Sequence, residues 1–158
     1  YGGEFISYVK KVDDLPVTVD LLVGSLVCRA TDASWSFDYI KKSSVIATIP
    51  GFGVSVECRV PERELLIAFK LHSGRRADVR DFVLLREGAD RGKVLKHLKR
   101  GDEQRLNSQI AAVLRALEDK NLVDSLKGVF TIDAAVVKLI DNAKKDLQNI
   151  AQRLELTS

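Results

Sequence analysis

The chain changes its hydrophobic period near residue 61. Before that point apolar and polar residues tend to alternate by twos, and after it they recur every three or four. The segment "EFISYVKKV" (4–12) predicts a strand. A second follows in "VTVDLLV" (17–23), opened by Pro16, with Val17, Val19 and Leu21 alternating with Thr18, Asp20 and Leu22. Beyond the polar stretch "RATDAS", the segment "SVIATIPGFGVSVECRV" (44–60) predicts two strands about a Pro50-Gly51-Phe52-Gly53 turn. Val54, Val56, Cys58 and Val60 share one face of it, leaving Ser55, Glu57 and Arg59 on a wet face.

From Pro61, a natural helix entrance with Glu62 and Glu64 in the first turn, the period is helical. Leu65, Leu66, Phe69 and Leu71 predict the buried stripe, and Gly74 predicts the stop. A short helix over 78–86, capped by Asp78, turns Val79, Phe82, Val83 and Leu85 inward, and "KVLKHLKR" is a third, basic piece ending at Gly101. The last third reads as two helices. Asp102 caps the first, with Leu106, Ile110, Val113 and Leu117 inward; a turn is expected near Gly128, and Thr131 caps the second. There Val136, Ile140, Ala143, Leu147, Ile150 and Leu154 form a narrow seam, suited to packing within the chain or to a homodimer through 131–155. The expected fold class is α+β: a mixed, mostly antiparallel sheet with packed helices over 1–90, then a C-terminal helical hairpin within 91–158.

Composition narrows this picture. The chain has 158 residues, of which 46% are hydrophobic and 30% charged, with three prolines, which is the make-up of a folded chain with one core and an extension. No run reaches the eighteen or so apolar residues of a membrane span and the start lacks an apolar signal core, so a soluble, cytoplasmic protein without a membrane partner is expected. The two cysteines, Cys28 and Cys58, make no zinc pattern and read as buried thiols. The chain begins at Tyr1 and contains no methionine, so a truncated or processed fragment is expected.

Net charge is +3 but uneven: residues 1–60 carry six Lys/Arg against seven Asp/Glu, residues 61–101 eleven against six, and residues 102–158 eight against nine. A basic centre between near-neutral flanks fits a local anionic partner, and also fits a solvated helix face.

The chemistry-bearing candidates lie in and before this centre. Asp20 interrupts an apolar strand, where a charge costs several kcal/mol unless it is paired, solvated or bound to metal. Lys70 interrupts an apolar helix, either snorkelling or directed at a phosphate as a point charge. Asp78 and Asp81, three apart, share a helix face, and Arg75, following the glycine break, is the preferred phosphate contact among Arg75, Arg76 and Arg80. Carboxylates that hold Mg²⁺ and cations that neutralise phosphates are what metal-dependent nucleotidyl transfer requires. His72 and His97 accompany no nucleophile motif, and no phosphate-loop or dinucleotide glycine fingerprint is present.

The order of these features is an acid within "VTVDLLV", a hairpin, then "ERELLIAFKLHSGRRADVRDF" with its lysine, glycine-arginine break and acidic pair. It resembles the polymerase-beta-like nucleotidyltransferases, especially their minimal toxin-type and antibiotic-resistance-like forms, over Leu15 to about Arg86. The resemblance implies a nucleotidyltransferase-like fold, with Asp20 as the third metal-site carboxylate on a central sheet and Lys70 near the nucleotide phosphates. It makes Asp78 and Asp81 the supporting acidic pair, with Mg²⁺ as cofactor, an NTP as substrate and an RNA or protein acceptor. The family's Gly-Ser or Gly-Gly turn and Asp-x-Asp strand are not found. Gly2-Gly3 leads into a strand, and Asp13-Asp14 are adjacent, so on a strand they would point to opposite sides. The chain alone is therefore expected to be inactive, either as the C-terminal part of a longer enzyme or as a member that has lost activity. The rival expectation is a non-catalytic module that binds RNA or protein through 75–100 and dimerises through its last helix.

Overall fold

The period-two segments fold as separate hairpins. The computed structural model of the protein describes residues 5–129 and 135–155. In it β1 (Phe5–Val12) pairs with β2 (Leu15–Leu22) antiparallel, with Ile6 opposite Leu21, Tyr8 opposite Val19 and Val12 opposite Leu15. The two residues between them, Asp13 and Asp14, both have positive φ, 48° and 63°. That is the signature of a type I′ turn, which aspartate tolerates because its short side chain fits the left-handed region. The adjacent acids are thus the turn itself, not strand residues.

β3 (Ser25–Cys28) and β4 (Ala33–Ser36) make a second small pair, followed by α1 (Phe37–Lys42), whose N-cap Ser36 accepts from the Tyr39 amide. β5 (Ser44–Pro50) and β6 (Ser55–Pro61) form the third hairpin. Among the described residues the strands therefore make three two-stranded antiparallel sheets, where a single larger sheet was expected.

Register gives the first and third hairpins one apolar face each. On the first it carries Ile6, Tyr8, Val12, Leu15, Val17, Val19 and Leu21; on the third, Val45, Ala47 and Ile49 with Val56, Cys58 and Val60. The seven residues of the first face are 45–70% exposed, and Val45, Ile49 and Val56 are also exposed. Both faces of the first hairpin are open to solvent, and the third is covered only in part, at Ala47, Cys58 and Val60, which a period of two does not foretell.

The helices hold the core. α2 (Arg63–Ser73), α3 (Arg76–Leu85), α4 (Arg91–Leu98), α5 (Glu103–Ala116), α6 (Asn121–Val129) and α7 (Val136–Glu155) enclose one apolar cluster running from Ile67 to Leu154, so the helices after residue 90 share it with those before. Leu65, Ala33 and Trp35 make a smaller cluster against the second sheet. Because α2 lies between the two clusters it buries Leu65, Ile67, Ala68 and Leu71, and leaves Leu66 and Phe69, expected inside, half-buried.

Among the described residues the last third is three helices, not a hairpin of two. The chain turns at Asp119, whose carboxylate accepts from the Asn121 amide, and Leu122 and Leu126 re-enter the core; Gly128 lies inside α6. The expected cap Thr131 lies outside the described residues. All six seam residues of α7 are buried in the chain's own core, so this seam is not a surface for a second copy. No helix among the described residues is long and apolar enough to cross a membrane. Cys28 and Cys58 are free thiols, each only half-buried.

One glycine joins the sheet layer to the helices. Gly101 has φ +73°, and a Cβ there would lie 2.2 Å from the Thr31 carbonyl oxygen, while the next amide, Asp102, donates to that same oxygen at 2.8 Å. Backbone on both sides cannot yield as a side chain would. Gly101→Ala is expected to lower stability by at least about 2 kcal/mol, read as a shift of the urea midpoint at constant slope.

Candidate functional site

The charged residues of 70–81 converge because a helix stops and restarts there. Gly74 ends α2 in the left-handed conformation at φ +58°, its amide bonding the Lys70 carbonyl, and the chain re-enters α3 at Arg76. Arg75 is the N-cap position of α3, which places Asp78 in the first turn and Asp81 one turn further along the same face. Asp78 is thus not the cap it was expected to be.

It is the hub of an ion cluster. Lys70 Nζ lies 3.1 Å from Asp78 Oδ1 and 2.6 Å from Asp81 Oδ2, and Arg75 Nε donates to Asp78 Oδ2 at 2.7 Å. The Asp78 side chain is only 2% exposed, against 27% for Lys70 and 33% for Asp81. Burial pushes the Asp78 carboxyl upward, but hydrogen bonds from Arg75, Ser73 and Lys70 outweigh it and hold the group below its ordinary value. Burial likewise works against the Lys70 ammonium, and its bonds to Asp81 and Asp78 more than restore it, so its pKa is raised. At neutral pH the cluster is two cations and two carboxylates. An ammonium carries three donors, and the two aspartates take two of them.

Beside the cluster opens a cavity of about 400 Å³, walled by Leu26, Trp35, Leu66, Phe69, Lys70 and Arg75 among others. Its back is a stack: Trp35 meets Phe69 edge-to-face at 4.8 Å between ring centroids and His72 at 5.1 Å. His72 is fully buried, with Nε2 3.1 Å from the Leu98 carbonyl oxygen and Nδ1 2.7 Å from Thr31 Oγ1. A carbonyl can only accept, so Nε2 carries the proton and Nδ1 accepts from the Thr31 hydroxyl. Burial, with Arg100 nearby, pushes the imidazole down to about 4 despite the Leu98 bond.

A second buried histidine braces the other end of α2. His97 bridges Tyr39 Oη at 2.7 Å and Glu62 Oε1 at 2.9 Å, and Glu62 also takes Lys93 Nζ at 3.1 Å. Burial raises the Glu62 carboxyl, and the bonds from Lys93 and His97 overcome this and lower its pKa. Glu62 stands at the N-cap of α2 without capping it, because its carboxylate is engaged here.

Of the residues singled out in the sequence, the fold brings Lys70, Arg75, Asp78 and Asp81 together and leaves Asp20 out. Asp20 sits on exposed β2, accepts from Ser7 Oγ at 2.8 Å, and belongs to a sheet of two strands, not a central one; it is absent from the cavity wall. Solvation on an open strand explains a charge in an apolar run without any metal.

The chain matches no protein-family model, no curated protein and no solved structure.

The donor set can be tested against Mg²⁺, which takes carboxylate and water oxygens at near-octahedral positions. Asp78 and Asp81 already hold an ammonium and a guanidinium, and a divalent ion between them would have to displace both. These residues do not fit the metal. Among the described residues no group of three or more His, Cys, Asp or Glu could hold one.

The cavity itself was not anticipated. Trp35, Leu26 and Cys28 come from strands four residues long, too short for periodicity to register, although "ASWS" does alternate buried and exposed as built. That tryptophan between two serines was the available signal.

Proposed function

We propose that the chain supplies the nucleotide-holding part of a nucleotidyltransferase-like protein, one that transfers NMP from an NTP to an acceptor and takes its metal-binding carboxylates from elsewhere. The observation that carries this is Lys70: an ammonium fixed by two aspartates, on the wall of an apolar cavity, with one donor to spare. A nucleoside would lie against Phe69, Leu66 and Leu26, and its phosphates toward Lys70 and Arg75. Pre-set orientation lets the lysine meet an anion without losing side-chain freedom at that moment. The aspartates act as its positioning residues, and no step of transfer is assigned to them or to Asp20. The open apolar faces of the first and third hairpins fit the same reading, since a completing domain would cover them.

Titration calorimetry of the chain with each of the four NTPs tests this. One or more should bind, and Lys70→Met should weaken that binding at least about tenfold while circular dichroism stays unchanged. The coding sequence upstream of Tyr1 should also contain Gly-Ser or Gly-Gly followed by Asp-x-Asp. Failure of all four NTPs to bind, or binding indifferent to Lys70→Met, overturns the nucleotide reading; an upstream segment without an acidic pair overturns the catalytic one.

A second reading has its own observation. Arg91, Lys93, Lys96 and Lys99 are all exposed on or just past α4, the basic face a non-catalytic nucleic-acid-binding or protein-binding module would use. It requires that Lys96 substitution weaken binding.

A further inference from the structure

We propose that the nucleotide cavity continues into a groove that binds a single-stranded nucleic acid, the acceptor strand. The proposal rests on the nucleotide reading above for the word acceptor, and on a separate set of residues for the groove.

The cavity beside Lys70 shares one wall residue, Ala30, with a second cavity of about 400 Å³ lined also by Asp102, Gln104, Arg105, Ser108 and Gln109. The two are therefore neighbours across the β3–β4 turn. Between them on the helical side stands the Ser73-Gly74-Arg75 break, held down by Gln109 Nε2, which donates to the Ser73 carbonyl at 3.2 Å. Together the two cavities reach from Trp35 and Phe69 past Ala30 to the first turns of α5.

Cations line this concavity beside carboxylates that neutralise most of them. Arg29, Lys70, Arg75 and Arg105 line it, against the carboxylates of Asp78 and Asp102. Asp78 is engaged by Lys70 and Arg75, and Asp102 caps α5, accepting from the Arg105 amide at 2.8 Å. Arg105 pairs with Asp32 at 2.7 Å, but both side chains are more than half exposed. Such a pair contributes little, so exchanging Asp32 for a phosphate costs little.

Cations contributed by four segments of the fold, with polar Gln104, Ser108 and Gln109 beside them, suit a ligand carrying phosphates at intervals. The half-buried Phe69 and the apolar wall suit bases next to those phosphates. An acidic peptide would use the cations but not the apolar wall, which is why a polynucleotide is favoured.

Fluorescence anisotropy with labelled oligouridylate, oligothymidylate and polyglutamate, at several salt concentrations, decides the matter. Both oligonucleotides should bind more tightly than polyglutamate, and the ratio between them tells whether ribose or deoxyribose is preferred. Arg29→Gln and Arg105→Gln should each weaken binding several-fold and reduce the slope of log affinity against log salt by about 0.7. Lys96→Gln, removing the same charge from α4, should do neither. Equal or tighter polyglutamate binding, absence of oligonucleotide binding, or loss through Lys96 but not through Arg29 and Arg105 each overturns the groove. NTP titration of the unaltered chain separates the two readings. Oligonucleotide binding through Arg29 and Arg105 without NTP binding leaves the groove standing and removes its role as acceptor site, and NTP binding with oligonucleotide affinity untouched by both substitutions does the reverse.

Discussion

Asp78→Ala is expected to destabilise the protein by about 2–3 kcal/mol, measured by urea or guanidinium unfolding, because it removes the buried carboxylate that accepts charged hydrogen bonds from both Lys70 and Arg75. The carboxylate is almost wholly buried and receives both Lys70 and Arg75. Asp81→Ala, at a site one-third exposed, should cost no more than about 1 kcal/mol, since solvent replaces much of what Asp81 supplies to Lys70. Asp78→Asn keeps the shape and removes the charge, so it should fall between them. The sign of the pH dependence follows from the lowered Asp78 pKa. The unfolded chain takes up the proton first, near pH 4. The stabilisation is complete above that value and is lost as pH falls through the folded one, so wild type and Asp78→Asn should converge only in acid. A loss below about 1 kcal/mol for Asp78→Ala would mean that Lys70 is not held by this cluster, and the nucleotide reading would lose its carrying observation.

Much of this cluster was legible in the sequence, for a local reason. Lys70, Gly74, Arg75, Asp78 and Asp81 lie within twelve residues, and a helix stop followed by a helix start determines their mutual placement almost without tertiary information. The α7 seam was legible likewise, since six apolar residues at helical spacing must be covered and α3, α4, α5 and α6 are available to cover them. What the sequence did not disclose is non-local. Asp20 in an apolar strand implied burial, yet an isolated hairpin exposes both faces, and neither period nor composition distinguishes a strand in a covered sheet from one in an open ribbon. Asp13-Asp14 could have been read as a type I′ turn from the two flanking alternating runs. The cavity wall joins β3, β4 and α2 across about forty residues of sequence, through Trp35–Phe69 and Thr31–His72 contacts that no spacing rule contains. Of the two histidines left without a role, both turned out to be struts: His72 between the β3–β4 turn and α4, His97 between α1 and α2.

Stability is expected to fall by about 2–3 kcal/mol between pH 7 and pH 4.5 through His72 alone. The imidazole is fully buried, and its pKa is lowered to about 4 by that burial and by the nearby charge of Arg100, against the raising effect of the Leu98 carbonyl. For a base with a depressed pKa the unfolded chain protonates first, near pH 6.5, so stability is whole above that value and drains as pH falls towards the folded value. The carboxylates Asp78 and Glu62 have lowered pKa values and act in the same direction, but only at or below the ordinary carboxylate range. Most of the window from 7 to 4.5 therefore reports the histidine, with Glu62 entering only at its acid edge. Unfolding midpoints across this window should slope upward with pH in wild type and flatten in His72→Gln, and the ¹⁵N shifts of His72 should report a neutral, Nε2-protonated ring down to about pH 5. An imidazole titrating near 6.5 in the folded protein, or a flat wild-type profile, would refute the assignment. The consequence reaches the cavity, because His72 ties Thr31 on the β3–β4 turn to Leu98 at the end of α4, and Trp35 packs edge-on against its ring. Acid should therefore loosen the β3–β4 wall before the helical core, with NTP affinity weakening over the same pH range as His72 protonates.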